Sequence, residues 1–157
     1  MRRKILAVTG LDGQIADLVR KTDHRILAVW AADCAEHVLP CFEEKYPEDT
    51  RPRDAIGACR NWARTGVFRM ADVRRIALAA HAAAREVPEF DPARSAARAA
   101  GHAMATAHVA THAIAAALYA ATAVRDAADP SDAGSATIRE REWQLQHLHR
   151  LRERVTS

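Results

Sequence analysis

The stretch GHAMATAHVATHA, Gly101 to Ala113, sets His102, His108 and His112 among residues that are otherwise nearly all small and apolar. Imidazoles can ligate a metal, move protons near neutral pH, or line a ligand-binding wall. On a straight helix, at about 100° per residue, His108 and His112 lie about 40° apart on one face, whereas His102 lies about 120° from His108 and about 80° from His112. The three cannot converge on one ion there. His108 and His112 can, because an i,i+4 pair is the spacing that metal-binding helices use. The hydrolytic zinc motif places a glutamate beside its first histidine, and here that position is Val109. A metal would need His81 or His102 as a third ligand, brought in by a helix break or a neighbouring helix.

His81 and Arg85 form another i,i+4 pair, and Arg98 and His102 repeat it further along. If the two segments pack antiparallel, both pairs face one cleft. That cleft would be positive, rich in donors, and suited to a carboxylate, a phosphate or an acidic partner segment. A plainer alternative stays open: histidines in alanine-rich helices can donate to a neighbouring helix and simply pin the packing. Trp30 and Trp62 fall on the inward stripes of their helices. They read as core residues, with a pocket wall as the alternative. Arg60 supplies further charge.

Other chemistry finds little support. Cys34, Cys41 and Cys59 match no zinc or disulfide spacing and read as inert thiols. Glu36 lies off the apolar stripe, solvated or paired with an arginine. Arg51 and Arg53 open a helix beside Pro52 and can reach Glu43, Glu44 or Asp49. G-x-S-x-G, G-x-G-x-x-G and the P-loop are all missing, which argues against serine hydrolases and standard nucleotide enzymes.

The positioning elements read as helices. Ile5 to Val8 belongs to an N-terminal arm. Asp12 caps a short helix through Leu18. Thr22 or Asp23 caps another from about His24, which Pro40 kinks or ends. Pro52 fits the first turn of a helix running to about Ala63 and closed by Gly66. A fourth runs from Met70 or Ala71 to Val87. Asp91 and Pro92 open a helical pattern extending from Ala93 to about Ala127. Such length predicts a break near Gly101 or within Thr106 to Thr111. Asp129 to Gly134 is a linker, and a charged helix follows from Ser135 to Arg154. We therefore expect an all-α fold, a single compact bundle of six or seven alanine-rich helices. Its divisions are an arm and short helix over 1–21, a core over 22–128, a linker over 129–134 and a C-terminal helix over 135–157.

The chain has 157 residues, 49% hydrophobic but only 5% aromatic, with a net charge of +3. Acids are interleaved with bases throughout, including Arg139 to Arg154, which argues against nucleic acid as a partner. The apolar run after Arg2-Arg3-Lys4 is too short for a signal peptide, and no run approaches a membrane span. The expectation is a cytoplasmic protein with reduced thiols and no membrane partner.

Several blocks agree in order with a known family. They are Trp30 to Pro40, Phe42 to Pro47, Arg51 to Ile56, Arg60 to Arg64, Ala80 to Arg85, Ala97 to His102 and Ala107 to Ala113. Together they resemble the bacterial immunity proteins that carry the "immunity protein five-like" domain. The likeness spans about Leu27 to Tyr119 and weakly the segment Glu142 to Gln144. It implies a small helical protein that protects its producer from a toxin or antibiotic. No catalytic residues come with it. The combined expectation is a non-enzymatic protein that sequesters a small-molecule or protein toxin without a cofactor. The ligand-binding residues would be Trp30, Arg60, Trp62, His81, Arg85, Arg98, His102, His108 and His112. The alternative is an enzyme using a divalent transition metal at His108 and His112 plus a third histidine. A homodimer is left open.

Overall fold

Asp23 accepts the backbone N–H of Arg25 and starts the first long helix, while Asp91 does the same for Ala93. Both side chains satisfy an N–H that the first turn leaves without a helical partner. A computed structural model describes residues 9–156. Its helices are α1 (Asp12–Arg20), α2 (His24–Val38), α3 (Pro40–Glu43), α4 (Arg51–Thr65), α5 (Met70–Arg85), α6 (Pro92–Ala105), α7 (His112–Ala127) and α8 (Ala133–Thr156). Seven are long and α3 is a single turn, and no strand occurs among the described residues. The all-α bundle is as expected. The arm at Ile5 to Val8 lies outside the described residues.

Prolines and glycine set the boundaries. Pro40 cannot donate, so α2 stops at Val38 and Pro40 begins α3. Pro52 and Pro92 occupy first turns. Gly66 closes α4 at φ 72°, a left-handed conformation that costs glycine nothing, and its N–H returns to the Trp62 carbonyl.

Two boundaries differ from expectation. Leu11, not Asp12, caps α1, and the Asp12 carboxylate reaches Arg141 on α8 instead. The last helix begins at Ala133 rather than Ser135. The long helical pattern breaks over residues 106–111, one of the two places expected. The reason lies outside the segment: the Thr106 carbonyl bonds the His24 ring from α2, while the Thr106 hydroxyl turns back onto the His102 carbonyl.

Alanine lets α6 sit at the centre. Ala96, Ala97, Ala99, Ala100 and Ala103 are buried against α2, α4, α5 and α7, which bring small faces of their own. Trp30, Phe42, Ile15, Leu39, Ile56 and Leu148 fill the wider gaps. Helix α8 closes the bundle by burying Leu148 and Leu151 and by an interior polar network. Arg141 reaches Asp12 at 2.6 Å and the Gln144 amide oxygen at 2.8 Å. Gln144 donates to the Ala117 carbonyl, and its own carbonyl accepts the Trp30 indole N–H. No helix among the described residues is long and apolar enough to cross a membrane.

Two of the three cysteines are buried and Cys41 is partly exposed. Cys34 and Cys59 are buried, burial raises both thiols, and Cys59 is pushed up to about 12. The arginine clamps also form: Arg51 on Asp49 and Glu86, Arg53 on Glu43, and Arg60 on Asp33 and Glu36.

Candidate functional site

Helices α5 and α6 form a tight antiparallel pair, in which Arg94 meets Val87 and His81 meets Gly101. Arg98 on α6 points across the seam and donates to Nδ1 of His81 at 2.9 Å. A guanidinium can only donate, so Nδ1 accepts and the proton of neutral His81 sits on Nε2. The two Arg/His pairs of the sequence do meet.

Gly101 makes the approach possible. A Cβ added there would lie 2.7 Å from His81 Nε2 and 2.8 Å from Cε1. Alanine normally gains about 1 kcal/mol over glycine inside a helix. Here overpacking opposes that gain, so Gly101→Ala is expected to lower stability by about 1–2 kcal/mol. With His81→Ala already in place, the same change should stabilise by about 1 kcal/mol. Urea denaturation of the four proteins tests this. A Gly101→Ala protein more stable than the parent would refute the packing argument.

Beyond Gly101 the rings continue. His102 stands edge-on to His81 at 4.9 Å between centroids, and stacks on His112 at 5.2 Å and on Tyr119 at 5.2 Å. The Nδ1 atoms of His102 and His112 are 3.0 Å apart, so one ring donates and the other accepts. That bond requires at least one neutral partner. Burial, together with the charge of Arg98, pushes His81 down to about 4. Burial and the neighbouring His81 push His102 down to about 4 as well. His112 is lowered in the same way, by burial and then His108. At neutral pH the site therefore presents uncharged imidazoles beside the Arg98 guanidinium.

The nine anticipated residues divide. His81, Arg98, His102 and His112 come together, with Arg85 one turn from His81 and exposed. His108 does not share a helical face with His112, because the chain leaves the helix between them. It is exposed and packs on Phe68. Among the described residues, no group of three His, Cys, Asp or Glu side chains is arranged to hold a metal. Trp30 is fully buried and takes the core role. Trp62 packs on His24 at 4.8 Å. Arg60 is held by Asp33 and Glu36 across the α2–α4 seam.

Two features escaped the sequence reading. Tyr119 joins the ring row, and its signal was available: it follows His112 by seven residues, about two helical turns, on the same face. The second is a cleft of about 370 Å³ lined by Asp33, Glu36, His37, Arg60, Trp143 and His147. Trp143 packs against both His37 and His147. His37 meets Glu140 at 2.9 Å and His147 meets Asp33 at 2.7 Å. Its charges answer one another, and they fasten α8 to α2.

Comparison with known proteins gives one match. Residues 17–151 fit the family model described as "Imm-5 like putative immunity protein". No curated protein and no solved structure matches the chain.

Proposed function

Because the chain belongs to the Imm-5 like immunity protein family, we propose that it is a non-enzymatic self-resistance protein. It binds and sequesters a toxin, or a small toxic natural product, at the imidazole–arginine face of α5, α6 and α7. The observation behind this is the assembly of His81, Arg98, His102, His112 and Tyr119 from three helices. Packing alone does not call for three neighbouring imidazoles that must be desolvated in their neutral form, a cost that burial of apolar residues would avoid. A binding role is favoured over catalysis because, among the described residues, His81, His102 and His112 have no carboxylate partner that would orient them as a base. Isothermal titration against the products encoded beside this gene tests the reading. The intact protein should bind one of them, and His81→Ala with His102→Ala should weaken binding at least tenfold. Unchanged affinity in that variant would move the ligand elsewhere.

A further inference from the structure

Several arginines on this protein are neutralised. Arg51, Arg53, Arg60 and Arg141 each meet one or two carboxylates. Arg85 and Arg98 form no ion pair among the described residues, and Arg98 is set apart by its contact with the imidazole row. The acids beside them are engaged elsewhere: Glu86 with Arg51, and Asp91 with Lys45 and the start of α6. Arg98 instead spends one N–H on an uncharged ring nitrogen, and Arg85 and Arg94 add like charges nearby. Tyr119 is the ring that closes the row on this side.

The geometry points to an oxyanion, a carboxylate or phosphate group, as the part of the ligand that this face binds, held by Arg98 with Arg85. This rests on the reading of the face as a ligand site. The chemistry follows from the donors: the remaining N–H groups of Arg98 form a planar fork that matches two oxygens of one anion. Three arginines repel a cationic group. The neutral imidazoles add hydrogen-bonding capacity without a charge that a neutral ligand would have to match. An oxyanion would also offset the mutual repulsion of Arg85, Arg94 and Arg98, none of which forms an ion pair among the described residues.

Titration of the full chain with sodium phosphate, sodium acetate or sodium chloride at matched ionic strength, followed by NMR, tests the inference. The side-chain Nε–H of Arg98 and the ring signals of His81 and His102 are the reporters. Saturable shifts with phosphate or acetate, absent with chloride, are expected. The tighter of the two anions identifies the source as phosphate or carboxylate. Arg98→Gln should weaken that binding about 10- to 100-fold. Arg85→Gln, which leaves the His81 contact in place, should weaken it less. Shifts that follow ionic strength alone, or that survive Arg98→Gln in a folded protein, overturn the inference. Toxin binding that persists without any oxyanion response would retire the inference and leave the immunity reading standing. Loss of toxin binding at this face would retire both.

Discussion

Arg141→Ala is expected to remove about 2–5 kcal/mol of folding stability, the cost of truncating a buried long side chain and leaving a buried acceptor without its donor. Arg141 is 1% exposed, and its guanidinium is surrounded by Asp12, Gln144 and the packed faces of α1, α2 and α8. Truncation leaves the Gln144 amide oxygen without its donor in a site closed to water, and opens a cavity the size of a long side chain. Asp12 is partly exposed and can regain water, which limits the loss. Arg141→Met should cost less, because it refills much of the volume that alanine leaves empty. Domains of this size hold roughly 5–15 kcal/mol in total, so the alanine variant stands near the edge of folding at 37 °C. Urea denaturation of the two variants checks the order. A loss below about 1 kcal/mol in Arg141→Ala would mean that the Arg141 contacts do not help to hold α8.

Acid is expected to destabilise the protein well before its carboxylates protonate. His81 and His102 titrate near 6.5 in the unfolded chain and are pushed down to about 4 in the folded one. The folded state favours the neutral rings, so their stabilising contribution is complete above pH 6.5 and is lost as the pH falls towards 4. Allowing for solvent around these half-buried rings, the loss for the pair is about 2–4 kcal/mol. His37 works in the opposite sense: Glu140 raises it, so its contribution is present at low pH and fades as the pH rises. The paired carboxylates of Glu43 and Asp49 are lowered and respond at still lower pH. The window between 6.5 and 4 therefore reports the ring cluster. Replacing His81 and His102 with glutamine, which keeps an acceptor for Arg98, should flatten stability across that window. Parallel curves for parent and variant would show that the rings are not responsible.

Much of the framework was legible because its signals are local. Asp23, Asp91, Pro52, Pro92 and Gly66 act on the backbone within one turn, and each marks a boundary that the structure keeps. The meeting of His81 with Arg98 was legible too, since a short connection between two helices forces them antiparallel. The break at 106–111 could be bracketed but not chosen, because His24 arrives 82 residues away in the chain to take the Thr106 carbonyl. Once the break is there, His108 packs on Phe68 and no longer shares one helical face with His112. The link between Asp12 and Arg141 spans 129 residues. It makes an evident N-cap into the partner of a buried arginine, and no pattern near Asp12 announces it.

The central question is whether the imidazole–arginine face confers protection. The direct measurement is growth of a toxin-sensitive host that expresses the toxic product encoded beside this gene, together with this chain or its Arg98→Gln, His102→Gln variant. Circular dichroism at pH 7 confirms that each is folded. The parent is expected to restore growth, and the folded variant to fail. Equal protection by both would contradict the assignment of the face as the binding site.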